Sequence, residues 1–280
     1  MSRTEDLRAL AQRVADALPP EVVEVVLTGS VSRGVADAVS DVEMLLVPVQ
    51  HVDLEAAFAV ARDAGLERLD TWGVQGTPTK RVTGYRDGEP LELIFWPHDY
   101  AESSADALLA GEPSSAADAL AHGIPLRTSG LLAAWQARLR RYPEELAAAR
   151  IEEAALRWGG YTPAGLLTLA RPGDRLALVE WLVDAAVRVL RIVYALNRVW
   201  EPTTKRLAAR VAPLPIKPDR LVERINQALS EADPRTALLI MTELQADTVA
   251  LAPSGPNIDR ARVWLTQAAQ LLREGVKTTL

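Results

Sequence analysis

Apolar positions in residues 4–18, TEDLRALAQRVADAL, recur every three to four places. Leu7, Leu10, Ala11, Val14 and Leu18 then share one face, which predicts an amphipathic helix. Thr4 is expected to cap it and Pro19-Pro20 to end it. The run EVVEVVLTGS (21–30) is nearly continuous in apolar residues and predicts a strand ending at Gly29. DVEMLLVPV predicts a second strand, and DLEAAFAVARDAGL (53–66) a helix ending near Gly65. TKRVTGYRDGEPLELIFWP (79–97) alternates as a hairpin does, with Asp87-Gly88 in its turn.

After about residue 125 the period changes to that of helices. Long helical stretches follow, separated by Gly159-Gly160, Pro172-Gly173, Pro215, Pro218, Pro234 and the span Pro253 to Pro256. The expected fold is α+β: a small mixed sheet flanked by helices over 1–125, then an α-helical bundle over 126–280. The boundary is soft, within GEPSSAADALAHGIPLRTSG.

Composition narrows the chemistry. The 280 residues are enough for two domains, and 49% are hydrophobic. There is no cysteine, so there is no disulfide framework and no thiolate metal site. The three histidines, His51, His98 and His122, are scattered and lack zinc-enzyme spacing. A net charge of −6 speaks against nonspecific nucleic-acid binding. The start MSRTEDLRAL does not read as a secretory signal, and no apolar run reaches the roughly 18 residues of a membrane span. A cytoplasmic protein is expected.

Against this background GSVSRGVADAVSDVEMLLV (29–47) stands out. Asp41 and Glu43 lie two apart at the start of an apolar strand, so they face one side, about 6.5–7 Å apart at the backbone. Two carboxylates on one partly buried face repel, and a cation between them relieves that. Mg²⁺ suits the pair, because it takes a few carboxylates and completes its shell with water and phosphate. Upstream, Gly29 allows close approach to a ligand, while Ser30, Ser32 and Arg33 offer donors for phosphate oxygens. In LELIFW, Glu92 points away from the face of Leu91 and Leu93. If its strand lies beside 41–47, Glu92 joins Asp41 and Glu43.

The set GS, SR, SDVEM and LELIF resembles the nucleotidyltransferase superfamily with the DNA polymerase β-like fold. Within it, Gly29-Ser30-x-x-Arg33 and Ser40-Asp41-Val42-Glu43-Met44 look most like the kanamycin nucleotidyltransferase (aminoglycoside 4′-O-adenylyltransferase) family. RIVYALNRVWEPTTKRLAARV is similar to that family's helix followed by Thr-Thr, which implies Thr204 near the nucleotide. The resemblance implies an enzyme with two Mg²⁺ ions on Asp41, Glu43 and Glu92. It further implies ATP or another nucleoside triphosphate contacted by Gly29, Ser30, Arg33, Ser40 and Thr204. The reaction implied is transfer of a nucleoside monophosphate to a hydroxyl of a small polar acceptor such as an aminoglycoside, in a cleft between the two domains, and a homodimer is expected. The family's catalytic glutamate four residues before a lysine has no counterpart in IEEAALRWGG. The proton acceptor therefore stays open among Glu92, Glu152, Glu153, Glu180 and Asp184. Lys205, Arg206 and Arg210 fit a triphosphate contact or a solvated helix face, and Trp158, Trp181 and Trp200 fit a pocket or core packing. Transfer to tRNA or protein, and a catalytically silent nucleotide-binding module, are the alternative functions.

Overall fold

The structure is a computed structural model that describes residues 2–72, 77–112, 116–158, 166, 169 and 173–274. The chain divides into two compact units, Met1–Arg141 and Tyr142–Leu280. The division falls later than the boundary at 125, because the segment after it is built into the first unit. The strand β6 (Ile124–Arg127) pairs with β1 (Val22–Thr28), and the helix α6 (Leu131–Leu139) packs behind it.

The fold class is α+β. Helix α1 (Arg3–Ala17) precedes β1, and a single helical turn, α2 (Gly29–Ser32), follows it. Then come β2 (Val42–Pro48), α3 (Leu54–Asp63), β3 (Glu67–Asp70), β4 (Lys80–Arg86), β5 (Glu89–Phe95), α4 (His98–Leu109) and α5 (Ala116–His122). Among the described residues six strands form one sheet in the order β3-β4-β5-β2-β1-β6. Among the described residues β2 and β5 are the one parallel pair, and the other pairs are antiparallel. The β4–β5 hairpin turns at Asp87 and Gly88, both at positive φ (56° and 81°), as a tight turn matched to strand twist requires.

One sheet face carries Val25, Leu27, Val42, Met44, Leu46, Leu91, Leu93 and Phe95 against α1 and α3. α5 and α6 lie against β1 as well, with Leu120, Leu132 and Trp135 fully buried. Cover on both sides explains why the central strands read as nearly unbroken apolar runs. The cap of α1 is Ser2 rather than Thr4: Ser2 Oγ accepts from Glu5 N, and Glu5 Oε2 accepts from Ser2 N at 2.7 Å. Thr4 is buried. Strands β3 and β6, four residues each, went unforeseen because segments that short carry no period.

The second unit is helical: α7 (Glu144–Ala155), a 3₁₀ turn (Leu156–Trp158), α8 (Arg175–Leu196), α9 (Leu207–Val211), α10 (Leu221–Ser230), α11 (Pro234–Leu251) and α12 (Pro256–Glu274). Leu182, Val189, Ile192, Val193, Met241 and Leu244 belong to its core. Among the described residues no helix is long and apolar enough to cross a membrane.

Candidate functional site

Glu43 and Glu92 are partners in the parallel β2–β5 ladder, so their side chains leave the same face side by side. Thr28 on β1 pairs with Glu43, and Thr83 on β4 pairs with Glu92. Asp70 on β3 pairs with Thr83. A row of polar residues thus crosses five strands of the sheet. Leu27, Met44, Leu91 and Leu93 alternate to the opposite face and are buried there. Two of the row, Thr28 and Glu92, are themselves buried, at 6% exposure each.

The chain reverses at Gly29 to begin α2. Its φ is +70°, a region costly for any residue with a Cβ. A Cβ placed there would lie 1.7 Å from Glu43 Oε2. The glycine therefore makes room for the Glu43 carboxylate directly over the β1–α2 turn. The turn is tied locally: Ser32 Oγ donates to Gly29 O at 3.1 Å, and Val35 N donates to Ser30 O at 3.0 Å. Arg8 on α1 donates to Val31 O and Ser32 O. Ser30 is half-buried beside Gly29, and Arg33 caps the turn's end.

Glu92 has a cationic partner. Its Oε1 accepts from Arg81 Nη1 at 3.2 Å, with the Glu92 side chain 8% exposed. Arg81 is two residues from Thr83 on β4, on the same face. Its guanidinium carbon also lies 4.3 Å from the ring centre of Trp72, which is 57% exposed. A buried carboxylate next to a second carboxylate needs such a charge.

The other residues singled out from the sequence are placed as follows. Asp41 lies one position before β2 and is exposed. Among the described residues no group of three or more His, Cys, Asp or Glu is placed to hold a metal ion. The convergence of Asp41, Glu43 and Glu92 is therefore not assembled in this structure: Glu43 covers Gly29, and Glu92 turns to Arg81. Ser40 is buried and closes the 37–40 turn, with Oγ donating to Asp37 Oδ1 and accepting from Asp37 N, both at 2.8 Å. Thr204 is exposed in the second unit, in the loop between α8 and α9. There Arg210 donates to Lys205 O at 2.8 Å and Thr203 Oγ1 at 3.4 Å.

Of the candidate proton acceptors in the second unit, Glu152 Oε2 accepts from Asn257 N at 2.8 Å, at the start of α12. Glu153 pairs with Arg150 and Asp184 with Arg188, while Glu180 is exposed. Trp158 is buried and Trp181 packs on the core. Trp200 stacks on Tyr142, 4.5 Å between ring centres, where burial pushes the Tyr142 hydroxyl up.

Thr28, Thr83, Arg81 and Trp72 were not foreseen. The signal for two of them was there in KRVTGYR, where Arg81 and Thr83 alternate with buried Val82. The oxygen donors of Glu43, Glu92 and Asp41 suit Mg²⁺, which is commonly held by one or two carboxylates with phosphate and water completing its shell. Shallow surface hollows lie elsewhere, along α4 at Tyr100, Ser103 and Asp106 and at the hairpin end near Arg68, Tyr85 and Asp87.

Residues 121–207 match the family model described as a domain of unknown function, DUF4037. That span does not reach Gly29, Glu43 or Glu92. No curated protein matches the chain. One similar solved structure is a nucleotidyltransferase-like protein from Exiguobacterium sibiricum 255-15. It is 12% identical, with a TM-score of 0.40, over 98% of this chain and 92% of that one.

Proposed function

We propose that the first unit is the catalytic part of a Mg²⁺-dependent nucleotidyltransferase. It transfers a nucleoside monophosphate, AMP from ATP in the simplest case, to a hydroxyl of a small polar acceptor such as an aminoglycoside. The observation that carries this reading is the juxtaposition of Glu43 and Glu92 on adjacent strands, with the Glu43 carboxylate occupying the space that Gly29 leaves open. Two neighbouring carboxylates on one strand face, one of them buried, are costly without compensating positive charge.

Glu43 and Glu92, with Asp41 at the strand mouth, are the ligands for Mg²⁺. Bound there, the ion would neutralise phosphate charge and lower the pKa of the attacking hydroxyl. Gly29 and Ser30 bring backbone and hydroxyl groups beside the phosphates. The acceptor oxygen forms its bond to the α-phosphorus as the bond to the bridging oxygen breaks, and pyrophosphate leaves with that electron pair. The hydroxyl proton passes to a carboxylate of the site. Such transfer depends on positioning and charge compensation more than on covalent catalysis.

Calorimetry with Mg²⁺ and a non-hydrolysable ATP analogue tests the reading. The parent protein binds the analogue only with Mg²⁺, and Glu43→Gln weakens that binding at least about tenfold, as loss of a ligand should. Equal binding by parent and variant would remove the site. A mass-resolved screen of antibiotics and metabolites with ATP then identifies the acceptor by its added nucleotide.

A further inference from the structure

Arg81 satisfies Glu92 in a way that bears on how the proposed site is loaded. Glu43 and Glu92 stand side by side in the β2–β5 ladder, and the Glu92 side chain is almost wholly removed from water. Arg81 supplies one positive charge at 3.2 Å. The guanidinium is not held by Glu92 alone, because it also rests on the face of Trp72 at 4.3 Å. Trp72 is 57% exposed, so this second contact lies toward solvent. Arg81 therefore has two partners on one reach of its side chain: an inner carboxylate and an outer aromatic ring. Without the inner contact the guanidinium would still keep its cation–π contact with Trp72, which is itself favourable.

We infer that Arg81 is a built-in stand-in for the divalent cation, occupying Glu92 until the ion arrives and withdrawing onto Trp72 when it binds. The inference rests on the nucleotidyltransferase reading. Its physical content is a competition. An ion approaching Glu92 must displace a hydrogen-bonded guanidinium and meets its positive charge, so the ion alone binds weakly. An ion arriving with a triphosphate brings compensating negative charge, and Arg81 then no longer opposes it. The site is thereby protected from loading by metal without nucleotide. Trp72 gives the displaced guanidinium a resting place.

The test uses the full chain and Mn²⁺ as probe, with free ion read by electron paramagnetic resonance, with and without the non-hydrolysable ATP analogue. Arg81→Ala is expected to bind Mn²⁺ alone about tenfold more tightly than the parent, the scale of one charge-assisted hydrogen bond. With the analogue present the gain shrinks to a smaller factor. Adding Glu92→Gln to Arg81→Ala abolishes the gain. Trp72→Ala, which leaves the ion pair in place, weakens Mn²⁺ binding by removing the resting place. The inference is overturned if Arg81→Ala binds Mn²⁺ alone no better than the parent while the parent still binds Mn²⁺ with the analogue in a Glu43-dependent way. If neither protein binds Mn²⁺ under any condition, the nucleotidyltransferase reading fails and the inference with it. Thermal melting of each variant shows whether it is folded. Should Arg81→Ala fail to fold, Trp72→Ala decides the matter, and unchanged Mn²⁺ affinity in it overturns the inference.

Discussion

Gly29 separates a geometric requirement from a conformational one, and the substitution Gly29→Ala measures both. At φ +70° an alanine incurs roughly 1–2 kcal/mol of strain. Restricting the unfolded chain returns about 0.4–1 kcal/mol, so the net loss of stability is about 1 kcal/mol. The new Cβ would also lie 1.7 Å from Glu43 Oε2, an overlap that only movement of the carboxylate can relieve. That carboxylate is the end of a flexible side chain, so the overlap changes position more than stability. Gly88→Ala isolates the difference. Gly88 has φ +81°, and nothing lies within 4 Å of a Cβ built there. Both variants should lose about 1 kcal/mol in urea denaturation, from backbone strain alone. Only Gly29→Ala should also lose Mg²⁺-dependent binding of the ATP analogue, by about tenfold or more if the carboxylate must stay over the turn. A Gly29→Ala protein that matches Gly88→Ala in stability and the parent in binding would refute the role given to this close approach.

Three further outcomes follow from contacts away from the site. Glu24 is fully buried, and its Oε2 accepts from Ser129 N (2.8 Å), Ser129 Oγ (2.9 Å), Leu131 N (3.2 Å) and Thr128 Oγ1 (3.3 Å). Glu24→Ala strands these donors at the start of α6 and should cost about 3 kcal/mol in chemical denaturation; an unchanged midpoint would contradict this. Arg127 donates to Ala15 O, Leu18 O, Pro19 O and Val22 O, binding the end of α1 to the sheet edge. Arg127→Met should lower stability by about 2 kcal/mol, read in the same way, and a loss near zero would show those carbonyls satisfied by water. Arg3 hydrogen-bonds both oxygens of Glu89 at 2.6 Å and holds that carboxyl below its ordinary 4.5. A depressed carboxyl adds stability that is complete above pH 4.5 and is lost as the pH falls through its folded value. An Arg3/Glu89 double-mutant cycle should therefore give a constant coupling near neutrality that shrinks only in acid, and coupling unchanged into strong acid would exclude the pair as its source.

Much of the fold was legible because burial leaves a period. The helix 4–18 and the hairpin about Asp87-Gly88 carry their own signals, and the unbroken apolar runs of β1 and β2 follow from cover on both faces. The ends of elements were less legible. Thr4 and Ser2 are both good caps by residue type, and only the contact with Glu5 distinguishes them. β6 is four residues long and joins the sheet through β1, a partner about a hundred residues earlier in the chain, so no local pattern announces it. That one strand moves the end of the first unit past residue 125.

The site divides along the same line. Residue type and alternation place Glu43 and Glu92 on a strand face each, but whether the faces coincide depends on the order and direction of strands. The parallel pairing of β2 with β5 brings Glu43 against Glu92, across an intervening helix and two strands. Charge compensation is less visible still. Arg81 lies eleven positions from Glu92 in sequence, and only the β4–β5 register sets them diagonally across one face. A sequence reading that counts acids sees three carboxylates awaiting a cation; the folded sheet already holds one cation of its own. The same topology that sets the two acids side by side thus also sets Arg81 against Glu92, with its guanidinium over the ring of Trp72.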